Sequence, residues 1–353
     1  MRWLVVHPGP SFSVADVHNG ICEALRALGE EVVEYALDWR LQFFDSALFE
    51  VDRNDIGQIK VKRACTREQA LAMAAESLCA VAYTWWPHVV LGISAFFTPP
   101  PLLDCIRGRG QKVMLWHTES PYQDEEQLER AAHADVNLVN DPVTLGRYQA
   151  LGPAEYMPHS YRPSVHYPGP GRAELRSDLA FVGTGFPSRR AFFEAMNLDG
   201  VDVLLAGPWP GLPETSPLYG WLADPQMADG QDAAEMVCLD NDRTAEVYRS
   251  ARTGINLYRR EGETGMAAGV AMGPREVEMA ATGLFFLRDR RPEGDDLLPM
   301  LPVFHDPEDA SEQLRWFLRH DSVREKAAAA ARDAVAGRTF EAAARRLIRL
   351  ARH

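Results

Sequence analysis

Residues 158–171 read PHSYRPSVHYPGPG, and shortly afterwards residues 179–190 read LAFVGTGFPSRR. The first stretch carries too much proline and glycine to continue a helix or a central strand, so it marks a domain boundary. The second is a short apolar run, then glycines and hydroxyls, then a helix opening: a parallel strand turning into its crossover helix. Both flanks repeat that alternation. Upstream, the predicted strands are Arg2–Val6, Glu31–Leu37, His88–Ile93, Lys112–Trp116 and Asp135–Val139. Between them come helices Val14–Leu28, Arg67–Val81, Pro100–Arg107, Glu125–Ala132 and Pro142–Ala150. Downstream, strands are expected at Leu179–Val182, Val201–Ala206, Met236–Leu239, Gly254–Leu257 and Leu284–Leu287. Helices Ser188–Met196, Arg243–Arg252 and Pro274–Ala281 accompany them, and a helical tail from Pro307 breaks near Asp321 and Gly337. The fold class that follows is α/β: two doubly wound domains facing a central cleft, with C-terminal helices. The expected domains are 1–160 and 161–337, with 338–353 a helix that returns to the first.

Composition narrows the function. The 353 residues are 46% hydrophobic and 25% charged, the balance of a globular chain. A formal charge of −13 argues against general electrostatic binding of nucleic acid, although a local basic face is compatible with it. Only Lys60, Lys62, Lys112 and Lys326 are lysine, so the basic groups are nearly all arginine. Arginine suits bidentate phosphate binding, but a GC-rich genome gives the same bias. The five cysteines are scattered and form no CxxC pair, so buried reduced thiols are expected rather than a disulfide framework or zinc site. No signal peptide and no apolar span of about 20 residues is evident, and a cytoplasmic location with no membrane partner is expected.

In doubly wound sheets ligands bind at the carboxyl ends of the strands, so the loops there carry the functional reading. The first, His7 to Ser13, offers Pro10, Ser11 and Ser13 beside a helix that holds Asp16, on the acceptor or cleft side. It has no GxGxxG, which disfavours a dinucleotide enzyme. The second, WHTESPY at 116–122, sets His117 beside Glu119 at a strand end, where either can handle a proton near neutrality. The third joins Gly183, Thr184 and Gly185 to Arg189 in the first turn of a helix, a seat for a diphosphate. The fourth, 256–283, leaves its strand through Asn256, Tyr258 and Arg259 and opens a helix with Arg275, Glu276 and Glu278. Glu276 fits ordinary helix-start grammar, whereas Glu278 lies in an apolar segment and needs a partner such as a ribose diol. Asp240-Asn241-Asp242 has the spacing of some metal-dependent transferases, but a helix N-cap is the simpler reading, and no metal is expected.

LDNDRTAEVYRSARTGINLYRRE (239–261), GPREVEMAATGLFFLRDRRPEGDD and RTFEAAARRL resemble the spore-maturation-type glycosyltransferases of bacteria and phages. LWHTESPY, NDPVTLGRY, MPHSYRPSVH and FVGTGFPSRR carry the resemblance upstream. It implies a GT-B fold of two Rossmann-like domains and transfer of a hexose-type sugar from a nucleotide donor, UDP-sugar favoured, with no other cofactor. It also implies that Glu278 binds the donor ribose, that Gly183–Arg189 lie near the phosphates, and that His117 lies near the reacting sugar. Asn256, Tyr258, Arg259 and Arg275 stand where diphosphate and sugar contacts are expected. Val270, eight residues before Glu278, departs from the paired-glutamate pattern of the related group and leaves the stereochemistry open. The acceptor implied for phage relatives is a hydroxymethylated DNA base; a glycan or small molecule is the alternative. A nucleotide-sugar epimerase and a non-catalytic nucleotide-sugar-binding protein are the competing classes.

Overall fold

A computed structural model of the chain describes residues 1–9, 14–47, 49–53, 59–63, 66–230, 238–261 and 269–352. The chain divides into two compact units. The first comprises Met1–Asn140, Thr144–Tyr156 and Ala344–His353, and the second Asp141–Val143 with Met157–Ala343.

In the first unit the strands are β1 (Arg2–Val6), β2 (Glu31–Tyr35), β3 (Phe49–Arg53), β4 (Ile59–Arg63), β5 (Val89–Ile93), β6 (Lys112–His117), β7 (Val136–Val139) and β8 (Ala154–Tyr156). Six of them form one sheet in the order β2-β1-β5-β6-β7-β8, parallel throughout, and β3 and β4 pair antiparallel as a separate ribbon. The helices are α1 (Ala15–Ala27), α2 (Leu37–Ala47), α3 (Arg67–Trp85), α4 (Pro100–Arg107), α5 (Asp124–Ala131) and α6 (Leu145–Gln149). Leu4, Val6, Leu78, Val90, Val113 and Leu115 close the core between strands and helices. Thr66 starts α3 through a reciprocal pair with Gln69, each side chain taking the other's backbone N–H, which satisfies two otherwise orphaned donors.

The second unit has four parallel strands in the order β10-β9-β11-β12, namely β9 (Leu179–Val182), β10 (Val203–Ala206), β11 (Gly254–Asn256) and β12 (Phe286–Arg288). Around them lie α7 (Pro187–Ala195), α8 (Asn241–Ser250), α9 (Pro274–Thr282), α10 (Pro292–Leu297), α11 (Pro307–Leu318) and α12 (Asp321–Val335). The last helix, α13, runs Phe340–Arg352. Phe181, Phe193, Leu205, Trp209, Ile255 and Phe286 are fully enclosed in the core of the second unit. Helix α9 begins with Pro274 and ends at Gly283, whose φ of 79° is a left-handed stop that costs a glycine little.

The alternation read from the sequence is present in both units, with several differences. Glu31–Leu37 ends as a strand at Tyr35, and Leu37 opens α2 instead. The β3–β4 ribbon, β8 and α10 were not expected at all. The expected helix Pro142–Ala150 shrinks to Leu145–Gln149. The expected strand Met236–Leu239 falls partly outside the described residues, and its described end, Cys238–Leu239, is not strand. Among the described cysteines only Cys22 is buried, Cys79 and Cys238 are half-buried and Cys105 is exposed, which corrects the expectation of buried thiols. No helix among the described residues is long and apolar enough to cross a membrane.

Candidate functional site

The second unit presents its loops where β9, β11 and β12 end. After β9 the chain turns at Gly183, whose φ of 152° is open to glycine, and a Cβ there would sit 2.8 Å from the Arg275 guanidinium. Arg275 reaches that turn from the first turn of α9. It lies over the Phe181 ring at 5.3 Å and donates to Asn256 Oδ1 at 2.8 Å. Asn256 ends β11 and is buried, and its Nδ2 has no protein partner. Glu278, one turn along α9, accepts from Asn241 Nδ2 at 3.1 Å. Burial raises its pKa to about 7, against the pull of Arg275. Gly183, Asn256, Arg275 and Glu278 are therefore brought together on one rim of the sheet.

Glu276 and Tyr258 lie beneath that rim rather than on it. Glu276 is 0% exposed. Its Oε2 accepts from the Tyr258 hydroxyl and from Gly273 N at 2.9 Å, while Oε1 has no partner. Burial lifts its pKa to about 7, and burial likewise raises that of Tyr258. The sequence reading gave the buried role to Glu278 and the helix-start role to Glu276. Glu276 holds both roles, because it lies four residues before Ala280 on the face that packs inward.

Both raised carboxyls have a consequence for stability. An unfolded glutamate titrates near 4.3, so the folded state binds the proton more tightly, and the stabilisation present at low pH is lost as pH rises through about 7. For one such group the full loss is on the order of 3 kcal/mol. Glu276→Gln should therefore close its stability deficit against the natural protein between pH 5 and pH 8, measured by urea unfolding. A deficit that stays constant with pH would show that this carboxyl is not raised.

The expected diphosphate seat at α7 needs revision. Arg189 is 6% exposed and spends its guanidinium on backbone carbonyls, Nε to Leu257 at 3.0 Å and Nη1 to Thr184 at 2.9 Å. It ties the β9 and β11 loops together instead of presenting a fork to a ligand. The first turn of α7 already carries an anion, since Glu261 accepts from Ser188 N and, at 2.9 Å, from Ser188 Oγ. Burial alone would push Glu261 up, but the hydrogen bonds from Ser188 outweigh it and leave its pKa below the usual range. Gly185 serves packing: a Cβ there would meet the Trp209 ring at 2.2 Å. Thr184 is half-buried beside it, and Arg259 is half-buried with its guanidinium 5.7 Å from the Phe186 ring.

The turn before α9 contains residues the sequence reading missed. Val270 N and Ala271 N both donate to Asp141 Oδ2, at 2.9 and 3.1 Å, and Met272 N donates to Glu293 Oε2 at 2.7 Å. With Gly273 N on Glu276, four successive amides are held by carboxylates. A Cβ at Gly269 would lie 2.1 Å from Arg291 Nη1, so the arginine tip occupies the space beside that glycine. Asp141 stands in the NDPVTLGRY stretch, but no local pattern ties it to a turn 129 residues away. Asp240 behaves as expected, capping α8 by accepting from Arg243 N at 2.8 Å.

In the first unit, His117 ends β6 and is 0% exposed. Its Nε2 pairs with Asn137 Oδ1 at 2.8 Å, its ring lies 4.7 Å from that of Tyr148, and Nδ1 has no partner. Burial lowers its pKa to about 4, so it is neutral near pH 7 and ill-matched to the near-neutral proton transfer expected of it. Glu119 is half-buried, with its N–H donated to Gln127 Oε1 at 3.2 Å. Asp16 lies half-buried in the first turn of α1, and Pro10, Ser11 and Ser13 fall outside the described residues.

Residues 189–349 match the family model described as "Glycosyl transferase-like", a little under half of the chain. No curated protein matches the sequence. Among solved structures, the chain is similar to a sucrose-phosphate synthase from Thermosynechococcus elongatus, at 14% identity and a TM-score of 0.65, covering 100% of this chain and 98% of that one. It is similar to an E. coli trehalose-6-phosphate structure bound with UDP-2-fluoro glucose, at 10% identity, a TM-score of 0.61 and 99% of both chains. It is also similar to an alpha-glucosyltransferase in complex with UDP and a 13-mer DNA containing an HMU base, at 13% identity, a TM-score of 0.62 and 99% of both chains. At these identities the likeness establishes the fold, and the family pattern supplies the chemistry: the chain is a glycosyltransferase with the GT-B fold.

Proposed function

We propose that this enzyme transfers a hexose from a UDP-sugar, held by the second unit, to an acceptor hydroxyl, and that it is of the spore-maturation type. The observation that carries the donor reading is the meeting of Gly183, Asn256, Arg275 and Glu278 at the carboxyl ends of parallel strands. A fixed guanidinium beside a glycine turn suits a diphosphate, and a carboxylate one helical turn away suits a ribose diol. Thr184 and Arg259 flank the same turn. Arg275 would stabilise the charge that grows on the departing diphosphate, so transfer needs no metal in this reading. Glu276 and Tyr258 hold the α9 start in place, and Arg189 does the same for the β9 loop. His117, neutral and enclosed, is assigned to positioning on the acceptor side, which leaves Glu119 as the proton-handling group. The acceptor reading is a hydroxymethylated base in DNA, in line with the glucosyltransferase whose structure contains such DNA.

Calorimetry with UDP and UDP-glucose tests the donor half. UDP is expected to bind, and Glu278→Gln to weaken it by about 10–100-fold, the worth of charge-assisted hydrogen bonds. Absence of binding, or full affinity in the variant, would remove the reading. Radiolabelled UDP-glucose, incubated with duplex DNA carrying hydroxymethylated bases or with glycans, tests the acceptor. Donor conversion without any acceptor would favour the epimerase.

A further inference from the structure

Three residues of the first unit form a cluster that sugar transfer does not use. His18 and Cys22 lie one turn apart on the buried face of α1, and Glu34 reaches them from β2. Taking one donor atom from each residue, the three lie within 4.8 Å of one another. Cys22 Sγ is 3.8 Å from His18 Nε2, and Glu34 Oε2 is 4.0 Å from His18 Nδ1. The other carboxylate oxygen of Glu34 is paired with Arg26, which fixes the side chain without occupying Oε2. His7, just past β1, brings a second imidazole, with its ring centre 4.9 Å from that of His18 and Asp38 3.6 Å from its Nδ1.

We propose that this corner binds one divalent transition-metal ion of the zinc class through His18, Cys22 and Glu34. A nitrogen, sulfur and oxygen set selects zinc or cobalt over magnesium or calcium, which prefer all-oxygen shells. Zinc bonds of roughly 2.0–2.3 Å place neighbouring ligands of a tetrahedron about 3.3–3.8 Å apart, so the widest gap in the set needs to close by about 1–1.5 Å. Because Cys22 lies by Nε2 of His18 and Glu34 by Nδ1, one of them swings toward the ring nitrogen that holds the ion. On binding, the Cys22 thiol loses its proton to solvent as the sulfur–metal bond forms, and no electron is transferred. His7 or water completes the fourth position. The ion would pin α1 to β2 at the carboxyl edge of the sheet. A bare thiol–imidazole contact explains His18 and Cys22, and the Arg26 ion pair occupies one oxygen of Glu34, which leaves Oε2 turned toward His18.

The test uses the full chain, stripped with a chelator and titrated with Co2+. One equivalent should give a thiolate-to-cobalt charge-transfer band in the near ultraviolet, and Cys22→Ser should abolish it. Zn2+ should raise the melting temperature of the natural protein and not that of Cys22→Ser. Glu34 is exposed enough that Glu34→Gln threatens no core, and it should weaken Zn2+ binding by at least about tenfold. A natural protein without the cobalt band, a band that survives Cys22→Ser, or unchanged zinc affinity in Glu34→Gln would each overturn the proposal.

Discussion

Arg275→Ala is expected to lower kcat by about 10²–10³-fold, the usual cost of removing one preorganised group from a developing negative charge. The guanidinium is preorganised in three ways. It lies over Phe181, it donates to Asn256 Oδ1 at 2.8 Å, and it fills the space that a Gly183 side chain would take. None of these contacts must be made anew when the diphosphate departs, so their benefit falls on the transition state. KM for the donor should change less than kcat. Arg275→Lys keeps the charge but loses the planar fork and should fall between the two. The substitution also leaves Asn256 Oδ1 unpaired, at a cost of about 1–3 kcal/mol, so circular dichroism and a melting curve must accompany the rates. Initial-rate kinetics at saturating UDP-sugar decide the matter. A folded variant with kcat within a few-fold of the natural enzyme would remove Arg275 from the leaving-group role.

Gly185→Ala should produce a large loss of stability in the second unit. The added carbon would lie 2.2 and 2.4 Å from two ring atoms of Trp209. That ring has nowhere to go: it is fully enclosed, with Phe181 and Phe193 each at 6.1 Å and its own backbone N–H bonded to Met227. Overpacking of this kind costs about 1–3 kcal/mol, and in a unit of this size that lowers the melting temperature by about 2–12 °C. Gly220 supplies the control, since a Cβ there meets nothing within 4 Å. Gly220→Ala should stay within about 0.5 kcal/mol of the natural protein. Equal melting temperatures for the two variants would mean that the β9 loop yields where the packing says it cannot.

Much of the candidate site was legible as loops and little of it as roles. Gly183, Asn256, Arg275 and Glu278 were picked out because strand ends and helix starts can be read from local pattern. Arg189 has no local mark of its packing, because a buried guanidinium and a ligand-facing one have the same local sequence. What separates them is whether the carbonyls of Thr184 and Leu257 fold within reach. The exchange of character between Glu276 and Glu278 had a local clue, the spacing of Glu276 from Ala280 on the inward face. Glu261 on Ser188 and Asp141 on the Val270 turn had none. In the first unit the spacing of His18 and Cys22 was equally visible, but a metal set becomes apparent only once Glu34 arrives from the next strand.

Most of the succession of strands and helices could be read from the sequence without coordinates, and with it the α/β class. These depend on backbone periodicity, on proline and glycine, and on apolar spacing over a few residues, all of which are local. Tertiary structure alone decided which polar groups are spent inside the protein and which remain for a ligand. That partition depends on contacts between residues far apart in the chain, as when Asp141 takes the amides of Val270 and Ala271. A carboxylate or guanidinium buried by folding must find its partner wherever packing puts one.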